Sequence, residues 1–222
     1  MVRFGVDEAG KGPVFGSMFA AAVCVEDRDH LPEGIADSKR LTPTRREQLA
    51  TTLHEDDRVR VGVAEVPVDV IDDPATDMNT LAVEAHAAAI DDAVDGLESS
   101  SAVESPSGLC DACDTDAGRF ARRVADACEA SVTVDARHGA DDESPIVGAA
   151  SIVAKVERDG HVGAIAAEYG DVGSGYPGDR TTRTFLEEYV DEHGTVPPFA
   201  RESWSTCADV LAAESQTGLD QF

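Results

Sequence analysis

The chain has 222 residues, 42% of them hydrophobic, with 44 acidic side chains against 18 basic ones and a formal charge of −26. That length holds one large domain, or one domain with a small C-terminal lobe, around a core of ordinary size. No run approaches the roughly 18 apolar residues that a membrane span needs. The charged, glycine-rich opening MVRFGVDEAGKG is not expected to be a signal peptide. Five irregularly spaced cysteines, at positions 24, 110, 113, 128 and 207, argue against a disulfide framework and for a reducing cytoplasm.

Val2 to Val6 is a short apolar run that ends in Asp7-Glu8, and Ser17 to Val25 reads as a second strand. Thr42 caps a helix that Pro43 opens and that runs to about His54. Arg58 to Val66 alternates as a third strand, and short links make the three an antiparallel meander. Thr80 to about Leu97 is a long helix with a stripe of Leu81, Ala85, Ala88 or Ala89, and Val94. Ser99 to Gly108 is a polar loop. Leu109-Cys110 is a short apolar entry to Asp111, a helix follows from about Asp116 to Cys128, and Ser131 to Val134 is a last strand. That strand–helix–strand pattern suggests parallel pairing. Helices are expected over Pro145 to Ala167, Asp179 to His193 and Glu202 to Ala213, with a loop over Gly170 to Asp179 and little to hold the last eight residues.

The charge is unevenly spread: residues 1–50 carry eight acids and seven bases, whereas residues 51–222 carry 36 acids and eleven bases. Lysine occurs only at Lys11, Lys39 and Lys155, against fifteen arginines. Such an acidic, lysine-poor composition is similar to that of proteins from extreme halophiles. At 0.15 M salt this charge strains the compact state, whereas at 1 M the screening length is about 3 Å, so molar salt is expected to be needed for folding.

Most acids belong to that coat, but a few sit where a coat residue should not. Asp7 and Glu8 end an apolar strand and enter a glycine-rich turn, Asp111 ends another apolar stretch, and Asp141-Asp142 stands just ahead of a helix. Carboxylates gathered at strand ends and helix starts repel one another unless a cation lies between them, and hard divalent ions take such oxygen ligands. Adjacent strand residues face opposite ways. Asp7 and Glu8 are therefore expected to share a site only if the strand ends or bends between them. Asp141 and Asp142 are not separated by sequence alone.

The run Asp7-Glu8-Ala9-Gly10-Lys11-Gly12-Pro13 resembles the signature of type 2 ribonuclease H, the HII group, most closely its archaeal members. Asp37-Ser38-Lys39-Arg40-Leu41, Asn79-Thr80-Leu81, Asp111-Ala112, Ala140-Asp141-Asp142, Ser151-Ile152-Val153-Ala154-Lys155 and Gly173-Ser174-Gly175-Tyr176-Pro177 follow in family order and extend the match to about residue 205. The resemblance implies a ribonuclease H-like α/β fold: a central five-stranded mixed sheet flanked by helices, with a catalytic domain over residues 1–170, a helical substrate-binding lobe over 171–213 and a flexible tail over 214–222. It implies cleavage of RNA in RNA–DNA hybrids, and 5′ of ribonucleotides embedded in duplex DNA, leaving 3′-hydroxyl and 5′-phosphate ends. By the same resemblance Asp7, Glu8, Asp111 and Asp141 hold two divalent ions, Mn²⁺ or Mg²⁺. The resemblance also implies that Gly10, Lys11 and Gly12 address the 2′-hydroxyl through backbone groups and that Tyr176 sits by the neighbouring deoxyribose. Most relatives have Arg where this chain has Lys11, which keeps the charge and loses the fork.

Lys39, Arg40, Arg45, Arg46 and Lys155 are candidate phosphate contacts, which position a duplex without reading its sequence. Lys155 could equally partner a carboxylate. His138, near Asp141, is a candidate assistant in moving a proton. Cys110 and Cys113 form a CxxC with no second pair, read as structural thiols rather than a zinc site. The tail residues Gln216, Leu219 and Phe222, spaced Q-x-x-L-x-x-F, are similar to the peptide by which repair enzymes dock on a sliding clamp, except that the usual motif ends in two aromatics. A monomer with no membrane partner is expected. The rival readings are a DNA nuclease or integrase-like enzyme of the same fold, a non-catalytic clamp-associated binder, and a metal-free glycosidase built on a carboxylate pair.

Overall fold

The computed structural model describes residues 2–35, 41–97 and 105–219. Five strands, β1 (Arg3–Ala9), β2 (Met18–Val25), β3 (Val59–Val66), β4 (Ser107–Asp111) and β5 (Thr133–Arg137), form one sheet in the order β3-β2-β1-β4-β5. β1, β2 and β3 pair antiparallel, as the meander expectation required, and β1–β4 and β4–β5 pair parallel. The helices are α1 (Pro43–Glu55), α2 (Val68–Ile71), α3 (Met78–Val94), α4 (Ala117–Ala127), α5 (Ala140–Glu143), α6 (Pro145–Tyr169), α7 (Arg180–His193) and α8 (Ser205–Leu219). Among the described residues no helix is long and apolar enough to cross a membrane.

Local chemistry sets the helix ends. The Thr42 hydroxyl accepts the Arg45 N–H ahead of Pro43, a cap of about 1 kcal/mol, and Asp77 caps α3 by accepting from the Asn79 and Thr80 N–H groups. Gly194 stops α7 in the left-handed region. One face of the sheet carries α3 and α4 over Phe4, Val6, Ile90 and Phe120, and the other carries α1 and α6 over Val23, Leu49, Leu53 and Ile152. Each such large side chain stabilises by about 1.5–3 kcal/mol. Because much of the core is Ala and Val, the helices approach closely. A Cβ on Gly5 would lie 2.4 Å from the Val147 nitrogen, and one on Gly62 only 2.2 Å from the Ala89 carbonyl. In the α3 stripe it is Ala89, not Ala88, that is buried.

A third apolar cluster joins α7 and α8 to Val14 and Phe15, from the loop after β1, and to Val162 and Ile165 of α6. Phe15 stands edge-on to Phe185 and Phe199 at centroid distances of 5.8 and 5.2 Å. This cluster packs α7 and α8 against the loop after β1 and the end of α6. Three element boundaries differ from expectation. Ser107 and Gly108 belong to β4 rather than to a loop, because they pair with Arg3 and Phe4 of β1. The last strand is 133–137 rather than 131–134, in register with β4. α8 continues past Ala213 to Leu219, through most of the segment expected to be loose.

Candidate active site

The site lies where β1 and β4 part company. On its β2 side β1 is paired through Ala9↔Phe19, whereas on its β4 side the pairing ends at Val6↔Cys110. Asp7, Glu8 and Asp111 thus stand at the C-terminal end of parallel strands, the usual place for ligands in such sheets. β1 runs on through both Asp7 and Glu8 to Ala9, so the two side chains fall on opposite faces of the sheet. Asp7 points to the α6 face, where Ser151 hydrogen-bonds it, and Glu8 points to the α3 face, where the His86 Nε2 donates to its Oε2 at 2.9 Å. Cys110 shares the Val6 face, so Asp111 shares the Asp7 face.

Charge is crowded here. Burial pushes the Asp7 carboxyl well above the usual aspartate range, and the negative charges of Glu8 and Asp111 push it further, against hydrogen bonds from Ser151 and the Glu8 N–H. Asp111 is raised by burial and by Asp141 and Glu8, although the Ala140 N–H donates to its Oδ1 at 2.9 Å. Burial alone would raise Glu8. The His86 hydrogen bond, with the charges of His86 and Lys11, outweighs it and holds Glu8 below the usual glutamate range. His86 is fully buried, packs edge-on against Phe120 at 5.1 Å, and its Nδ1 has no hydrogen-bond partner among the described residues. Asp141, in the first turn of α5, is buried while Asp142 is exposed. Among the described residues no three His, Cys, Asp or Glu groups converge as a preformed metal cage. Glu8 is drawn toward His86, away from the Asp7 face.

Beside these carboxylates lies a cavity of about 450 Å³ lined by Glu8, Asp141, the Gly10-Lys11-Gly12 loop, Arg46, Lys155 and Tyr176, with Ala9, Ser151 and Ile152. Gly10 has φ +93°, and a Cβ there would meet the Ser17 carbonyl at 2.9 Å. The Lys11 ammonium reaches the Asn79 Oδ1 and the Cys113 carbonyl, each at 2.9 Å, and so ties the loop to α3 and to the segment after β4. The Gly173–Pro177 loop docks on the segment after Gly12. The Gly175 carbonyl accepts from Val14 and Phe15, and Thr182 and Asp179 hold its other side. Tyr176 is 41% exposed and lies against the Arg158 guanidinium, 4.9 Å from the ring centroid.

Lys155 pairs with Asp159 one turn along α6, which Arg46 also approaches, at 3.9 Å. Arg45 is exposed and turned to the Gln48 side chain and the Glu33 carbonyl, so it does not join the cavity. His138 is exposed, its Nδ1 bonded to the Ala112 carbonyl at 3.0 Å. Cys110 is buried and its thiol is pushed well up by burial, and the Cys113 thiol is likewise pushed up to about 12, in keeping with structural thiols. Lys39, Arg40 and Phe222 lie outside the described residues, as do the side chains of Gln216 and Leu219.

Three residues escape a reading of the sequence. His86 sits in a run of alanines and looks like one more core position. Arg158 and Arg201 are two of fifteen arginines, and nothing local marks them as buried under the loops.

The profile of the family described as Ribonuclease HII matches residues 4–207. The Ribonuclease HII of Haloarcula marismortui is 59% identical over 222 residues and is covered in full, as is this chain. The structure is similar to the crystal structure of ribonuclease H2 from Pyrococcus horikoshii, with a TM-score of 0.84 and 34% identity over 97% of this chain and 100% of that one. It is also similar to the enzyme in a solved PCNA–RNase HII complex from Archaeoglobus fulgidus, with a TM-score of 0.81 and 33% identity over 94% of this chain and 96% of that one.

Proposed function

The chain belongs to the ribonuclease HII family, its archaeal branch, as an endoribonuclease of RNA–DNA hybrids; from that premise we propose that it also cuts 5′ of single ribonucleotides in duplex DNA. Asp7, Glu8, Asp111 and Asp141 would hold divalent ions for the cut. The observation that carries this reading is the placement of Asp7, Glu8 and Asp111 where β4 leaves β1 while β2 stays paired, with the buried Asp141 at the start of α5. The donor set fits a hard divalent cation, all carboxylate oxygen with the neighbouring thiols held neutral. When bound, Mn²⁺ or Mg²⁺ supplies Lewis-acid activation of water and stabilisation of the leaving oxygen, which two ions can share.

The chain's own groups do the remaining work. Backbone groups of Gly10, Lys11 and Gly12 can meet a 2′-hydroxyl, which is both donor and acceptor, because the glycines leave the main chain uncovered. Tyr176 offers its exposed ring to the sugar on the deoxy side of the junction. Arg46 and Lys155 line the same cavity and can position phosphates. Asp159 pairs with Lys155 and lies 3.9 Å from Arg46, which holds both cations beside the cavity. The ends left would be a 3′-hydroxyl and a 5′-phosphate.

The test uses a DNA duplex containing one ribonucleotide, incubated with protein in molar KCl with Mn²⁺ or Mg²⁺. A single cut 5′ of the ribonucleotide supports the reading. An intact duplex with well-folded protein, or cleavage of the matching all-DNA duplex, overturns it.

The Q-x-x-L-x-x-F tail supports a second, separable proposal, docking on a sliding clamp. A structural neighbour was solved in complex with PCNA, and the motif here starts on the last turns of α8. Removing residues 215–222 should abolish clamp binding and leave cleavage intact; undiminished clamp binding would exclude the tail. The five free thiols fit a cytoplasmic setting.

A further inference from the structure

Arg201 is fully buried and has no acidic partner among the described ion pairs. Its guanidinium is instead given over to main-chain carbonyls of the loop after β1. Nη2 donates to Gly10 at 2.6 Å, Nη1 to Lys11 at 3.0 Å and Nε to Gly16 at 2.9 Å. The Arg201 N–H donates to the Val14 carbonyl at 2.8 Å, beside the Phe15–Ala200 bridge. Trp204 lies under the guanidinium at 4.9 Å and donates its indole N–H to the Gly12 carbonyl at 3.4 Å. Two side chains from a segment almost 200 residues away thus take the carbonyls of Gly10, Lys11 and Gly12.

A planar trans peptide points its N–H opposite to its C=O. With the Gly10 and Lys11 carbonyls drawn onto Arg201, the N–H groups of Lys11 and Gly12 are turned away from it, on residues that line the cavity. Arg suits this position because its rigid fork serves several acceptors at fixed angles, which an ammonium on a flexible stem does not. The guanidinium stays charged there, although burial and the nearby Arg158 lower it to about 10.

We infer that Arg201, with Trp204 beneath it, is the positioning residue that sets the Gly10–Gly12 backbone for recognition of the ribonucleotide. This rests on the proposed 2′-hydroxyl reading by that loop. It also gives the C-terminal segment a role in specificity and not only in packing.

The test compares affinity for a DNA duplex bearing one ribonucleotide with affinity for the same duplex in all-DNA form. Fluorescence anisotropy without divalent ions, in high KCl, gives the ratio for wild type, Arg201→Lys and Trp204→Phe, with circular dichroism fixing the folded fraction. A purely structural role lowers stability and leaves the ratio per folded molecule unchanged. The expected result is a loss of about 10-fold in the ratio for Arg201→Lys and about 2–3-fold for Trp204→Phe, as one or two hydrogen bonds are misaligned. Folded Arg201→Lys with the wild-type ratio would overturn the inference. If that variant does not fold, Trp204→Phe decides, and an unchanged ratio overturns it. Wild type that cannot tell the two duplexes apart would instead overturn the loop's reading of the 2′-hydroxyl, and this inference with it.

Discussion

The carboxylates at the end of β1 and the glycine loop that follows them are separated by only a few residues, yet they are held in opposite ways. Asp7 and Asp111 are pushed up by burial and by their neighbours, with too few donors to offset the repulsion. Two residues on, the loop has its carbonyls met by Arg201 and Trp204, its lysine tied at two points, and its Gly10 seated in a conformation that few other residues adopt. One region gathers carboxyls of like charge that burial and their neighbours raise. The other is fixed before anything binds. The contrast matches the two roles proposed above, a charge cluster for a counter-ion and a preorganised backbone for recognition of a small group.

If the carboxylates serve the cut and not the fold, removing one should separate activity from stability. Asp111→Asn is expected to lower cleavage of a single-ribonucleotide duplex by about 10³-fold or more while leaving the metal-free protein at least as stable as wild type. A gel assay with a parallel thermal melt checks both. On the loop side the order should reverse, with stability and activity falling together. Gly10→Ala forces a Cβ to 2.9 Å from the Ser17 carbonyl at φ +93°, so a stability loss of about 2 kcal/mol and a clear drop in kcat/KM are expected from denaturant titration and kinetics.

A residue serving the carboxylate region from behind should show an intermediate effect. His86→Leu removes the donor to Glu8 and should weaken divalent-ion affinity about 10-fold, read by calorimetry. His86→Gln, which can still donate, should recover part of it. The smallest effect is a pH signature. A carboxyl whose folded pKa lies above its unfolded value contributes stability that is complete below the unfolded value, near 3.9 for aspartate, and is lost as pH rises through the folded one. Asp7 is raised, so Asp7→Asn should melt a few degrees above wild type near neutral pH without divalent ions, with the gain vanishing near pH 4. A gain that grows toward low pH would contradict the assignment.

Much of this is legible in the sequence, for identifiable reasons. Thr42-Pro43 carries its cap chemistry on its face, and the alternation of Val59–Val66 is the period of a half-covered strand. β5 reads two residues early because the apolar Ser131–Val134 run is visible, whereas its register against β4 is set by pairing. By strand geometry alone, Asp7 and Glu8 need a break between them. What the sequence does not convey is that β2 carries β1 through to Ala9 while β4 lets go at Val6, so that carboxylates on opposite faces stand at one opening in the sheet. Asp141 and Asp142 are indistinguishable in sequence because only the placement of α5 decides which is buried. Arg201 is invisible there because its partners are backbone carbonyls, which leave no mark on residue type.

The central claim is that Asp7, Glu8, Asp111 and Asp141, out of 44 acids, form the divalent-ion site. Calorimetric titration of Mn²⁺ into wild type, Asp141→Asn and Asp142→Asn in molar KCl tests it most directly, because the two variants remove the same charge one residue apart. The account predicts at least a 10-fold loss of affinity in Asp141→Asn and no change in Asp142→Asn. Equal losses in both, or none in either, would contradict it.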